Sequence, residues 1–290
     1  MIYTIRNDKL TVEISSIGAE LQSVKYLGKE YLWDGNPEIW DGRAPVLFPI
    51  IGNAYDGEIE CDEKLYKIAK HGFARDTEFK LTSISEESCT FTITDTEETL
   101  KAYPYKFTFN VTYSIVDNKL ITAFEIFNND IKTLACSIGG HPAFLCPSDN
   151  GSFEDWEIVF SPDEELVSFS VTDDGYIDSE NTYKVINDNG HIKLNRDLFA
   201  IDALIFDKLN KHIVTLMHKS GKQGVTMEFN DFPSLGIWTK PLDGAKYVCL
   251  EPWCGMGHLV CENKKLFDKH DIIEIEPSKS IIKAFTCELF

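Results

Sequence analysis

Short alternating runs of apolar and polar residues dominate the chain, and such runs are typical of half-buried β-strands. The clearest example is FTFNVTYSIVDNKLITAFEIFNN, in which two long runs meet at VDNK and predict a β-hairpin. Further strands are predicted by LTVEISSIG, DWEIVFS, HIVTLMH, GVTMEFND, SLGIWTK, YVCLEPW and IIKAFTCELF. The regular spacing of these runs favours a sandwich or barrel of strands.

Helical periodicity is scarce along the chain. SPDEELVSFS (161–170) predicts at most one helical turn, and CENKKLFDKHD (261–271) predicts a short helical segment. Two polar, turn-rich stretches, 146–156 and 171–182, are predicted to be surface loops. Because no helices long enough for parallel crossovers separate the strands, we predict a single, mostly antiparallel all-β domain over residues 1–290.

The charge of the chain restricts its partners. Its 290 residues include 47 acidic and 28 basic side chains, for a formal net charge of −19. A field of this sign repels nucleic acids and anionic membrane surfaces, so neither is expected as a partner. The N-terminal residues lack a signal-peptide pattern, and no apolar run approaches the length of a membrane span. Eight scattered cysteines form no C-x-x-C pair, so we expect reduced cysteines in a cytoplasmic protein.

Two histidines stand in similar surroundings. His71 opens HGFAR and His141 lies in GGHPAF, so each has glycine beside it and an apolar, aromatic tail after it. A free imidazole has a pKa of about 6.5, which suits proton transfer near neutral pH. Either histidine alone could be an ordinary hydrogen-bonded structural residue. The shared setting favours two histidines that line one cleft.

A carboxylate follows an apolar strand in YVCLEPWCG. Glu251 is either exposed at the end of the strand or partly buried, where its raised basicity would suit a general base. Trp253, two residues later, either belongs to the core or offers a flat apolar face to a sugar ring. Asp202 in LFAIDALIF is a charged residue in an apolar stretch, so it needs partners such as ligand hydroxyls or backbone N–H groups.

Arg43 precedes the proline-bounded run APVLFPIIGN. Its guanidinium could donate to hydroxyls or to a phosphate, or it could be a surface arginine beside Asp41. His71, His141 and Glu251 could form a two-histidine, one-carboxylate metal site, but the sequence contains no closely spaced ligand pair, so no metal is predicted. The chain also lacks a P-loop, a G-x-G-x-x-G motif and a G-x-S-x-G motif.

Five short motifs occur in a characteristic order: RAPVLFPIIGN, HGFAR, GGHPAF, DALIF and CLEPW. With these motifs the chain resembles the aldose 1-epimerase (galactose mutarotase-like) family, and within it the LacX-type branch. The resemblance implies a large antiparallel β-supersandwich with few short helices and no metal or organic cofactor. It implies a mutarotase, an isomerase that interconverts the α and β anomers of a hexose such as galactose.

The resemblance also implies roles for individual residues. Glu251 matches the general base, His141 the general acid, His71 a substrate-binding histidine and Asp202 an aspartate that binds sugar hydroxyls. The ligand arginine of the family follows an asparagine, and here the nearest equivalent is Asn53.

The contact made by that arginine is therefore absent or comes from Arg43 or Arg75. Two alternatives follow. The substrate could be a hexose 6-phosphate held by one of these arginines. The protein could also bind or sense carbohydrate without catalysis.

Overall fold

Strands are the predominant secondary structure in this protein, a computed structural model of which describes residues 1–147 and 151–290. The strands, in chain order, are β1 (Ile2–Arg6), β2 (Leu10–Ser15), β3 (Leu21–Tyr26), β4 (Lys29–Glu30), β5 (Val46–Leu47), β6 (Glu58–Cys61), β7 (Lys64–Lys67), β8 (Lys80–Ile84), β9 (Ser88–Thr94), β10 (Phe107–Val116), β11 (Lys119–Asn128), β12 (Leu134–Cys136), β13 (Ile138–Gly140), β14 (Ala143–Leu145), β15 (Trp156–Val159), β16 (Val167–Val171), β17 (Ile177–Lys184), β18 (His191–Lys193), β19 (Leu204–Asp207), β20 (Ile213–His218), β21 (Gly224–Glu228), β22 (Ser234–Trp238), β23 (Tyr247–Cys254), β24 (Ile273–Ile275) and β25 (Ser280–Leu289).

Helices are few and short. They are α1 (Thr99–Ala102) and the 3₁₀ turns Tyr55–Gly57, Ala74–Asp76, Phe153–Asp155, Arg196–Phe199 and Leu266–Asp268. Strands account for 48% of the structure and helices for 7%, which confirms the all-β prediction.

Two large sheets organise the molecule. The first has nine strands in the order β18-β15-β20-β21-β25-β11-β10-β9-β8, and the second has eight, in the order β17-β16-β19-β22-β23-β13-β5 with β14 also paired to β23. A four-stranded sheet, β1-β2-β3-β4, and two small ribbons, β6-β7 and β12-β24, complete the strand pairing of the described residues. The pairings between these strands are antiparallel, as predicted.

The hairpin predicted at VDNK is present. Strands β10 and β11 pair from Phe107 opposite Asn128 to Val116 opposite Lys119, leaving a two-residue turn at 117–118. Asp117 adopts a positive φ of 57°, as the tight turn of a two-residue hairpin requires. Burial alternates along β10, so that one face joins the core and the other faces outward.

Strand β23 is buried on both faces, which explains why its sequence is apolar apart from Glu251. All eight of its residues are buried. Val248 and Leu250 belong to the main hydrophobic core, which also includes Phe109 and Phe124 of the nine-stranded sheet. The alternate positions, Cys249, Glu251 and Trp253, point to the opposite face, because side chains alternate along a strand. That outer face carries the site described below.

Some local predictions were wrong or incomplete. Within 161–170, a single turn is closed by a hydrogen bond of 3.0 Å from the backbone N–H of Glu164 to the carbonyl oxygen of Ser161, and β16 then begins at Val167. The loop predicted over 171–182 contains the start of β17, whose polar residues lie on an edge strand where alternation is weak. In the predicted loop 146–156, a 3₁₀ turn at Phe153–Asp155 leads into β15, and residues 148–150 lie outside the described part of the chain.

Among the described residues, no helix has the length and apolar character needed to cross a membrane.

Candidate active site

A cavity of about 380 Å³ lies against the outer face of the eight-stranded sheet. Small-molecule sites usually occupy roughly 300–1,000 Å³, so this cavity is of a suitable size for a ligand such as one sugar ring. Most of the residues singled out in the sequence line it, namely Asn53, His71, Arg75, His141, Asp202, Glu251 and Trp253. The fold therefore brings together residues that are up to two hundred positions apart in the chain.

Strand register places His141 opposite Glu251. On one side of the pair, Gly139 of β13 lies opposite Trp253, and on the other side Ala143 of β14 lies opposite Cys249. His141 occupies the break between β13 and β14, where the same antiparallel register continues. The resulting distance from His141 Nε2 to Glu251 Oε1 is 3.1 Å, which allows a direct hydrogen bond.

Burial favours the uncharged forms of this pair. Glu251 is 2% exposed and His141 is 7% exposed. Burial raises the pKa of Glu251 well above its ordinary value, and the nearby Asp202 carboxylate adds to this shift. Burial also lowers the pKa of His141 to about 3. One proton can therefore move between Oε1 and Nε2 while the total charge of the pair stays at zero.

His71 is held in an unusual backbone conformation. Its φ is +65°, a region that few non-glycine residues adopt. Its Nδ1 accepts a hydrogen bond of 3.0 Å from the backbone N–H of Gly52, so the ring proton belongs on Nε2. Burial, with the nearby His141, holds the pKa of His71 well below its usual value. His71 is thus a neutral imidazole that can donate from Nε2.

The indole of Trp253 lies across three neighbouring strands. A methyl group at Gly139 of β13 would lie 2.8 Å from Cδ1 of the indole, and one at Gly236 of β22 would lie 2.5 Å from Cη2. Two glycines therefore make room for the two ends of the ring. The indole N–H is buried and has no hydrogen-bond partner among the described residues. A ligand oxygen could accept this hydrogen bond, since buried donors are normally paired.

Two tryptophans that the sequence analysis did not single out flank His141. The ring centroid of Trp40 is 5.2 Å from that of His141, and the centroid of Trp238 is 5.9 Å away in an edge-on arrangement. Both tryptophans line the cavity. Their only signal in the sequence is an aromatic residue near a turn, in IWDGR and IWTKP, which does not distinguish a binding residue from a core residue.

Cationic groups line the same cavity as its carboxylates. Lys70 and Arg75 line the cavity with Asp202 and Glu251. Within residues 1–147 and 151–290, neither cation forms an ion pair. Asp202 Oδ1 accepts a hydrogen bond of 2.8 Å from the backbone N–H of Ala203, and this bond orients the carboxylate at the cavity wall. Lys70, adjacent to His71, was also missed in the sequence, where a single lysine carries no distinguishing signal.

Arg43 alone among the predicted residues does not line the cavity. Its Nη1 donates a hydrogen bond of 2.7 Å to the carbonyl oxygen of Gln22, and its backbone N–H donates one of 2.9 Å to Oε1 of Glu20. Arg43 thus links the segment before β5 to β3. Of the two arginines considered for ligand binding, only Arg75 is at the cavity.

The metal set considered in the sequence combined both cavity histidines with Glu251. At the cavity, the ligand atoms that lie within 4.8 Å of one another belong instead to His141, Cys249 and Glu251, and a second such group, Asp207, His270 and Asp271, lies away from the cavity lining. Burial raises the pKa of the Cys249 thiol well above its ordinary value, and Glu251 adds to this shift. A metal ion would require both acids to lose their protons, so this donor set favours proton transfer over coordination.

Comparisons with known proteins assign nearly the whole chain to one family. A family model described as aldose 1-epimerase matches residues 1–269. The chain is 32% identical to the plasmid-encoded Protein LacX of Lactococcus lactis subsp. lactis over 299 residues, covering 98% of each protein.

Solved structures show the same similarity. A galactose mutarotase related enzyme from Lactobacillus acidophilus superposes with a TM-score of 0.95 at 35% identity, covering 100% of this chain and 97% of that chain. A galactose mutarotase-like protein from Lactobacillus casei superposes with a TM-score of 0.91 at 28% identity and covers both chains fully. The predicted β-supersandwich is confirmed by these folds.

Proposed function

The chain belongs to the aldose 1-epimerase family, and on this premise we propose that it is a mutarotase that interconverts the α and β anomers of a free hexose. The observation that carries the proposal is the buried contact of 3.1 Å between Glu251 and His141 in a cavity of sugar size. Ring opening needs one group that accepts a proton and one that donates a proton, and this pair supplies both.

In the proposed reaction, Glu251 accepts the proton of the anomeric hydroxyl, and His141 donates a proton to the ring oxygen as the C1–O5 bond breaks. The open-chain aldehyde then rotates about the C1–C2 bond. The two residues reverse their roles when the hydroxyl at C5 attacks the other face of C1. The pair ends with the protons it had at the start, so no cofactor is consumed.

A general base must be deprotonated and a general acid protonated when the reaction begins. Burial instead favours neutral His141 and protonated Glu251 before sugar binds. The proton must therefore pass along the contact of 3.1 Å to Nε2. Sugar hydroxyls that donate to Glu251 would stabilise its anion and promote this transfer. His71 Nε2–H, the indole N–H of Trp253 and the Asp202 carboxylate are suited to hold the remaining sugar oxygens.

Exchange NMR tests the proposal at equilibrium, by measuring the rate at which α and β anomeric protons of galactose and glucose interconvert. We expect the wild-type protein to accelerate exchange and Glu251→Gln to lose about 10²–10⁴-fold in kcat. Glu164→Gln is the matched control, because Glu164 is a buried glutamate (8% exposed) that does not line the cavity. A wild-type protein that binds these sugars without accelerating exchange would instead be a binding protein.

A second candidate substrate is a hexose 6-phosphate, and the cations Lys70 and Arg75 favour it. They stand at the cavity of a chain whose net charge of −19 otherwise repels phosphate. If the phosphate binds here, Arg75→Ala should lower kcat/KM for glucose 6-phosphate by about tenfold or more while changing that for glucose little. Lys67→Ala, an exposed lysine outside the cavity, is the control. A wild-type preference for glucose would contradict this candidate.

A further inference from the structure

A second and larger cavity adjoins the catalytic one. Its volume is about 710 Å³, and we name it the outer groove. Four residues line both cavities, and they are Val171, Ile201, Asp202 and Ala203. The two spaces therefore share a wall, and a ligand that fills the catalytic cavity could extend past Asp202 into the groove.

The outer groove lies between the edges of the two large sheets. Tyr183 and Lys184 end β17, the edge strand of the eight-stranded sheet, while His191 and Lys193 belong to β18, the edge strand of the nine-stranded sheet. The 3₁₀ turn Arg196–Phe199 and the residues that follow it connect this groove to the catalytic cavity. The groove is thus a gap that the sandwich leaves open at one end.

Large apolar side chains are exposed in this groove. Ile186 is 90% exposed, Ile201 is 77% exposed and Tyr183 is 43% exposed. A single exposed apolar residue needs no explanation, but several in one concavity indicate a binding surface. Their position beside the catalytic cavity points to a ligand that occupies both spaces.

Polar groups accompany this apolar surface. Asp188, Asp197 and Lys193 line the groove, and none forms an ion pair with another described residue. A pyranose ring has an apolar C–H face and a rim of hydroxyls, so it suits an aromatic or aliphatic surface edged by carboxylates and an ammonium. The mixture of groups matches a second sugar ring better than it matches a wholly apolar molecule.

We propose that the outer groove binds the second ring of a reducing disaccharide or longer oligosaccharide, whose reducing ring occupies the catalytic cavity. The inference deepens the mutarotase proposal and rests on it. Ring opening at C1 leaves the other hydroxyls unchanged, so a glycosidic bond from one of them does not interfere with the chemistry. Asp202 stands where the two rings would meet.

The test compares glucose with maltose and cellobiose, which carry glucose at the reducing end. In the wild-type protein we expect kcat/KM for at least one disaccharide to exceed that for glucose. Ile186→Asp and Tyr183→Ala should each lower the disaccharide value by about tenfold and leave the glucose value unchanged. Ile131→Asp is the matched control, because Ile131 is 95% exposed and lies outside both cavities. Equal ratios of disaccharide to glucose activity in all variants would overturn the groove assignment.

Saturation-transfer NMR separates failure of this inference from failure of the mutarotase proposal. Protons of both rings should receive saturation in the wild-type protein, and those of the non-reducing ring should lose it in Ile186→Asp. This result would support the groove even if no sugar is epimerised. Saturation confined to the reducing ring would overturn it. A second outcome would also overturn it: Ile186→Asp converts a dimer of the protein into a monomer but does not change activity toward disaccharides. The groove would then be a contact surface between two copies of the chain.

Discussion

The fit of the Trp253 indole between two glycines allows a quantitative prediction for Gly236→Ala. The added methyl group would lie 2.5 Å from Cη2 of the indole, whereas non-bonded carbons prefer about 3.5–4.0 Å. The indole must therefore shift by about 1 Å, toward Gly139 or toward the cavity. The other end of the ring cannot take up this shift freely, because Pro252 and Ile51 also pack close to Gly139.

Two opposing effects set the expected loss of stability. Replacing glycine by alanine in a strand normally gains about 0.5–1 kcal/mol by restricting the unfolded chain. Overpacking a close-fitting core costs about 1–3 kcal/mol. We expect the free energy of unfolding to fall by about 1–2 kcal/mol and Tm by about 2–6 °C. Because the indole and Glu251 share one face of β23, kcat should fall by up to about 10²-fold.

A double-mutant cycle with Trp253→Phe measures whether the contact itself is responsible. Phenylalanine lacks the outer carbon atoms of the indole that the new methyl group would meet. In the Trp253→Phe background, Gly236→Ala should therefore be neutral or stabilising, as followed by thermal and urea unfolding. An equal loss of stability in both backgrounds would refute the proposed overlap, and a fully active Gly236→Ala would refute the link between indole position and catalysis.

Three further predictions concern the histidines. Since the pKa of His141 is lowered to about 3, its imidazole should stay uncharged between about pH 5 and 8, so the NMR signals of the His141 ring should not titrate in that range; a titration step in these signals near the ordinary histidine pKa of about 6.5 would contradict this. His71→Asn should keep Tm, because asparagine tolerates positive φ, yet raise KM by about 3–10-fold through loss of the Nε2 donor; an unchanged KM would exclude that contact. The Asp207 carboxylate lies 3.3 Å from His270 Nε2 and raises the pKa of that histidine in the folded protein. The pair therefore contributes fully to the free energy of unfolding at pH values below the pKa of His270 in the unfolded chain, and this contribution is lost as pH rises through its pKa in the folded protein. Urea unfolding should show His270→Asn costing about 1 kcal/mol at pH 5.5 and much less at pH 9, and an equal cost at both would contradict the linkage.

Short sequence motifs indicate which residues carry the proposed chemistry, but they could not supply the distances between those residues. The acid and base roles of His141 and Glu251 were predicted from the resemblance that GGHPAF and CLEPW carry. Their separation of 3.1 Å depends on the register of β13 and β14 against β23, which is set by packing of the whole sheet. Their protonation states depend on the nearly complete burial of both groups, which is a property of the fold and not of the motifs.

The causes of the local backbone at the two cavity histidines lie outside their motifs. GGHPAF and HGFAR both place glycine beside the histidine, but neither motif shows what the glycine packs against. In the structure, a methyl group at Gly140 would meet the ring of Phe285, so this glycine makes room for a core side chain. His71 has a positive φ, which the motif HGFAR does not predict. A short motif can indicate that a position has an unusual residue or backbone conformation. The physical reason for it lies in packing against residues that are distant in the chain.

The double burial of β23 connects stability to function. Val248 and Leu250 pack into the core on one face, while Glu251 and Trp253 face the cavity on the other. The proposed general base, Glu251, is held in place by a central strand before substrate binds, which favours proton transfer at a fixed distance. The cavity walls supplied by Trp40, Lys70 and residues 199–203 lie outside strands and can vary without disturbing this arrangement. We therefore expect amino-acid substitutions in these loops to change which sugar is bound, and substitutions in β23 to change the reaction rate for every sugar.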